Sequence, residues 1–133
     1  MERYLGRYSD IIYAALRIVS GFLFASHGAM RLFWGAGQSE LSAAAGLVAG
    51  NIEFVGGSLI ALGFLGSIAA FIASGEMAVA YFKAHAPLGF LPILNFGDLA
   101  IMFCFVFLYI ASRGSGRFSI DAIVARRANR SPP

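Results

Sequence analysis

The chain has 133 residues, of which 59% are hydrophobic and only 13% charged, and its mean hydropathy is +0.75. Soluble domains carry about 25% charged residues, so this composition excludes an ordinary water-soluble globule and predicts a membrane protein. A single cysteine, Cys104, excludes an intrachain disulfide. The chain has no Cys-x-x-Cys pair, nucleotide-binding glycine loop or nucleophile elbow.

The first apolar run, 10–33, has the position of a signal peptide but not its character. It carries Arg17 within the apolar segment, lacks an Ala-x-Ala cleavage site and exceeds the usual apolar length, so it reads as a retained helix. The next run, 47–84, is too long for one span. It breaks at Gly63-Phe64-Leu65-Gly66, which predicts antiparallel spans at 47–63 and 66–84. After Pro87 and Pro92 a last span, 96–112, stops at Arg113-Gly114-Ser115-Gly116. Ser119 is placed to cap a short tail helix with Ile120, Ile123 and Val124 on one face and Arg126, Arg127 and Arg130 on the other. The expectation is one all-α domain, 1–133, built as a polytopic four-transmembrane-helix bundle with a short C-terminal amphipathic helix in a basic tail, 113–133.

Charge orients this bundle. An even number of spans puts both termini on one side, with Arg3, Arg7, Arg113, Arg117, Arg126, Arg127 and Arg130. The opposite loops hold little beyond Arg31, Lys83 and Glu40, so the positive-inside bias predicts cytoplasmic termini in a cell inner membrane. The tail is then expected on the inner leaflet.

Arg17, Glu53 and Glu76 interrupt three apolar spans, where ionisable side chains are costly and require partners. Counting the rise per residue from the cytoplasmic end puts Arg17 about 12 Å deep and both glutamates about 15 Å deep. Each shares a helix face with small residues, among them Gly21 and Gly28, Gly57 and Ala61, and Ala80. The three are therefore expected to form a buried polar core in which Arg17 contacts Glu53 or Glu76. Two uses stay open: a structural ion pair, or a polar cavity, proton relay or quinone headgroup site.

A second cluster, His27, Arg31, Lys83, His85, Asn95 and Asp98, gathers at the outer span ends. Arg31 and Lys83 read as snorkelling anchors. His27 and His85 suit proton transfer or hydrogen bonding to a quinone, with Asp98 orienting an imidazole. Their spacing defines no metal site, and none is expected. The aromatics Phe96, Phe103, Phe105, Phe107 and Tyr109 read as lipid-facing bulk.

The order Arg17-Ile-Val-Ser-Gly21, His27-Gly28, Glu53-Phe-Val-Gly56-Gly57, Ala80 with His85, Gly97-Asp98-Leu-Ala100 and Gly114-Ser-Gly116-Arg-Phe-Ser119-Ile-Asp121 resembles the DoxX family of small bacterial membrane proteins. That resemblance implies a four-helix membrane bundle with polar residues inside. In DoxD relatives the fold serves as a subunit of a thiosulfate:quinone oxidoreductase, and other relatives are linked to membrane oxidoreductase assemblies responding to oxidative or thiol stress. It carries over to Arg17, His27, Glu53, His85 and Asp121, the last expected to cap the tail helix or pair with Arg113 or Arg117. Asp98 departs from the pattern, standing where many relatives carry glutamate, and Glu76 matches no family motif. The expected function is an integral membrane subunit of a redox assembly, quinone-linked or tied to oxidative stress, with no covalently bound cofactor and quinone as the candidate ligand. The expected partners are the lipid bilayer, a second copy or soluble redox proteins, and no nucleic acid. A membrane scaffold or assembly factor, and a small proton-coupled transporter using Glu53 or Glu76, are the alternatives.

Overall fold

The computed structural model describes residues 1–35 and 43–129, so Ser39, Glu40 and Arg130 lie outside the described residues. Seven α-helices run through the described chain, and no strand occurs among the described residues: α1 (Glu2–Leu5), α2 (Ser9–Trp34), α3 (Ala43–Asn51), α4 (Gly57–Leu62), α5 (Gly66–Ala80), α6 (Asp98–Arg113) and α7 (Ile120–Ala128). A π-helical turn, Ile52–Gly56, joins α3 to α4, and a second, Tyr81–His85, extends α5. Four rods therefore pack together, with α7 attached at one end. Two of them, Arg3–Trp34 and Ala44–Leu62, are long and apolar enough to cross a membrane.

The Gly63–Gly66 break is a tight reversal. Gly63 has φ +67°, and the Gly63 and Phe64 amides donate back to Ile60 and Leu59 carbonyls at 3.1 and 3.0 Å. These are the two bonds of a Schellman cap, which needs a left-handed residue where glycine stands. The rods on either side run antiparallel from this "turn end" toward a "loop end" near Arg31 and His85.

Close approach sets the register of α2 against α4. A Cβ on Gly21 would lie 2.6 Å from the Ala61 amide nitrogen and 2.7 Å from the Gly57 carbonyl oxygen. The two backbones thus touch directly, a contact only small residues permit. On the other side, Ala69, Ala70 and Ala73 of α5 are buried against α6. Those short side chains leave room for an aromatic core of Phe24, Phe103 and Phe107, with Phe24 and Phe107 centroids 4.7 Å apart in an edge-on arrangement. Phe103 and Phe107 are therefore core, contrary to the expectation of lipid-facing bulk. Phe96, Phe105 and Tyr109 do face outward.

The exterior is apolar. Val19, Phe22, Ile68, Phe71, Met102 and Phe105 are all exposed, forming a surface that bilayer hydrocarbon solvates and water does not. α5 packs on α4 near the turn end and on the first π-turn, but not closely on α3 toward the loop end. The rods separate there, and a cleft opens.

Candidate functional site

The polar residues assemble into two clusters, one at each end. At the turn end, Arg17 is 1% exposed. Its Nη1 donates to the Ile60 and Ala61 carbonyls at 2.5 and 2.8 Å, and its Nη2 to the Phe118 carbonyl at 2.7 Å. The guanidinium thereby satisfies the last carbonyls of α4, where the helix dipole favours a cation. A Cβ on Gly63 would lie 2.6 Å from Nη1, so the glycine also makes room for the arginine.

The segment Gly114–Asp121 wraps around this arginine. Tyr13 donates its hydroxyl to the Gly114 carbonyl. Ser119 accepts from the Ala122 amide at 3.2 Å and so caps α7. Asp121 reaches across the turn, accepting from the Leu65 and Gly66 amides at 3.0 and 3.3 Å and from the Ser115 hydroxyl at 2.5 Å. Its own amide donates to the Gly63 carbonyl at 3.0 Å. Burial raises the Asp121 proton affinity, but the Ser115 hydroxyl, the two amides and the Arg17 charge outweigh it and hold the carboxyl below the usual aspartate value. Asp121 thus caps α5, not the tail helix. Arg113 and Arg117 pair instead with Asp10, at 3.3 and 3.4 Å.

Arg17 therefore contacts neither Glu53 nor Glu76, which corrects the expected buried core. Side chains lean toward the N-terminus of their own helix. Arg17 on α2 leans toward the turn end, while Glu53, on an antiparallel rod, leans toward the loop end. The two diverge. For the same reason Arg31 and Glu53 converge: Gly28 lies against the Glu53 and Phe54 backbone, one turn from Arg31. The Arg31 Nε and Nη2 donate to the two Glu53 carboxylate oxygens, each at 3.2 Å, in the two-pronged geometry that guanidinium and carboxylate favour. Glu53 is 3% exposed. Arg31, read from sequence as a snorkelling anchor, is the buried carboxylate's partner.

A cavity of about 860 Å³ occupies the loop end between the rods. Its apolar walls include Phe24, Val48, Ile52, Met77, Ala100 and Phe103, and its polar lining consists of His27, Arg31, Glu53, Glu76, Lys83 and His85. The exposed Val48, Ile72 and Val79 border it, so it opens sideways where α3 and α5 part. Glu76 is half-buried, and its Oε2 is enclosed with no hydrogen-bond partner among the described residues. His27 Nδ1 lies 2.8 Å from the Leu23 carbonyl oxygen, and His85 Nδ1 2.9 Å from that of Asn95.

Both π-turns lie on this cavity, one carrying Glu53 and the other Lys83 and His85. Such wide turns recur where a helix redirects a functional side chain, and no spacing signal in the sequence announced them. Asn95, fully buried, organises the approach to α6 through bonds to the Gly89 carbonyl and the Gly97 amide at 2.8 and 2.9 Å. Its backbone carbonyl, not Asp98, positions His85. Asp98 is exposed in the first turn of α6 and outside the cavity lining, a position suited to the helix dipole. Of the three residues grouped from sequence, His27 and His85 line this cavity and Asp98 does not.

The DoxX family model matches residues 12–86, and the chain belongs to the DoxX family. It is 39% identical over 125 residues to an uncharacterized protein of Haemophilus influenzae, an alignment covering 88% of this chain and 93% of that one. No solved structure matches it.

Proposed function

We propose that this DoxX protein is a four-span integral protein of the cell inner membrane that binds a lipid-soluble amphiphile of the quinone class in the loop-end cavity, as part of a redox assembly. The sideways-opening cavity carries the proposal: its apolar walls adjoin the apolar exterior and share the lining with Glu53, Glu76, Arg31 and two histidines. Its volume falls in the range of small-molecule sites, and a few convergent polar groups inside an apolar shell are what orient such a ligand. The DoxX resemblance supports the choice of quinone.

Membrane insertion rests on the apolar exterior and on family membership. The rod of α5 and its π-turn, 66–85, matches the length of a span at about 20 residues. The 16 residues of α6 are preceded by exposed Leu91, Ile93, Leu94 and Phe96, which continue the apolar surface beyond Asp98. Both ends of the described chain lie at the turn end with Arg3, Arg7, Arg113, Arg117, Arg126 and Arg127, which supports a cytoplasmic turn end. The exposed Ile123 and Val124 of α7 suit the inner leaflet.

The test is solvent extraction of detergent-purified protein, followed by titration with decylubiquinone. Extracted quinone, and saturable binding weakened in a Gly75→Trp variant that fills the mouth, is the expected result. No extracted quinone and no saturable binding would overturn the ligand-site reading in favour of a scaffold.

A further inference from the structure

We infer that this cavity selects the hydroxyl-bearing, reduced form of an aromatic amphiphile over the carbonyl-bearing, oxidised form. The inference rests on the cavity being a ligand site and deepens it by naming the chemistry at the ligand's head. A carbonyl oxygen only accepts hydrogen bonds. With Nδ1 of His27 against the Leu23 carbonyl and Nδ1 of His85 against the Asn95 carbonyl, each neutral ring keeps its proton on Nδ1. Each Nε2 is then a lone-pair acceptor. Neither Nε2 has a hydrogen-bond partner among the described residues, and both rings line the same cavity.

The rings are also held in place by packing. His27 stands edge-on to Phe103 with centroids 6.1 Å apart, and His85 lies stacked on Tyr81 at 6.4 Å. Glu76 adds an enclosed oxygen without a partner among the described residues. On the donor side, the Arg31 Nε and Nη2 are committed to Glu53, and Lys83 is exposed at the rim. The lining therefore sets three acceptors, the Nε2 atoms of His27 and His85 and the Glu76 Oε2, beside an exposed lysine donor. A quinone presents only acceptors and leaves Nε2 unsatisfied, whereas a hydroquinone or a phenol donates its O–H to it. A buried polar group without a partner weakens binding more than a made bond strengthens it, so the difference favours the donor.

A redox-inert pair isolates this effect: 4-decylphenol and 4-decylanisole differ by one O–H and share the tail. Binding of both to the detergent-purified protein is measured at about pH 8, where imidazole is ordinarily neutral. The phenol is expected to bind about fivefold tighter per hydrogen bond made, and decylubiquinol tighter than decylubiquinone under anaerobic conditions. His27→Asn and His85→Asn keep an amide donor at the Nδ1 position and remove Nε2, so at least one should collapse the phenol preference while the protein remains folded. Equal binding of phenol and anisole, or a preference surviving in the double variant, overturns the inference and leaves the ligand site standing. Binding of none of the four compounds overturns the ligand site and this inference with it.

Discussion

Glu53 is a buried acid and Asp121 a half-buried one, and the bonds around them make opposite demands. Glu53 is held by the Arg31 side chain, so removing that cation leaves an uncompensated carboxylate in an apolar wall. Arg31→Ala should lower thermal stability in detergent by about 3 kcal/mol, the low end for a buried pair, since Arg31 is 23% exposed. Adding Glu53→Gln to it should recover part of that loss, and a strictly additive double variant would count against the pairing. Asp121 is held by amides and a hydroxyl, and its folded proton affinity lies below the ordinary value. A depressed carboxyl stabilises the fold above its unfolded titration range, and that stabilisation is lost as pH falls through the lower folded value. An acid titration of stability should therefore show a drop below about pH 4 that is smaller in Asp121→Asn. Identical acid profiles for the two proteins would show that Asp121 does not carry it.

Helix contacts divide into those that tolerate no side chain and those that have room. A Cβ at Gly57 would lie 2.6 Å from the Gly21 carbonyl oxygen, whereas one at Gly75 meets nothing within 4 Å. Gly57→Val should abolish recovery of folded protein, because α4 must then move off α2 and misplace Glu53 relative to Arg31. Gly75→Ala should leave thermal stability unchanged or slightly raised, since alanine favours helix over glycine by about 1 kcal/mol. Size-exclusion profiles and melting curves of the two variants decide the point. The helices themselves were legible from apolar runs and glycine breaks: the 10–33 run became Ser9–Trp34, and the Gly63–Gly66 turn lies where two glycines marked it. The first π-turn was not legible, because an extra residue in one helical turn leaves no periodic trace in a segment that is apolar all round.

The proposed orientation in the bilayer rests on the arginines at the turn end. In a background with Cys104 replaced, Gly89→Cys should react with an impermeant maleimide from outside intact cells, and Val124→Cys only after the cells are opened. The reverse pattern would invert the topology. Composition together with the length of the apolar runs determined that the chain is helical and apolar outside, because a long segment in lipid satisfies its backbone groups within itself as a helix. Sequence motifs likewise sufficed to place it in the DoxX family and to single out Arg17, His27, Glu53 and His85. Their pairing was another matter. Depth counted along each span put Arg17 level with Glu53, yet the antiparallel register and the lean of each side chain toward its helix N-terminus sent Arg17 to the carbonyls at the end of α4 and brought Arg31 to Glu53. A one-dimensional count carries distance along a helix but neither the direction of a side chain nor the offset between neighbours, and those quantities exist only once α2 has packed on α4 through Gly21 and Gly57.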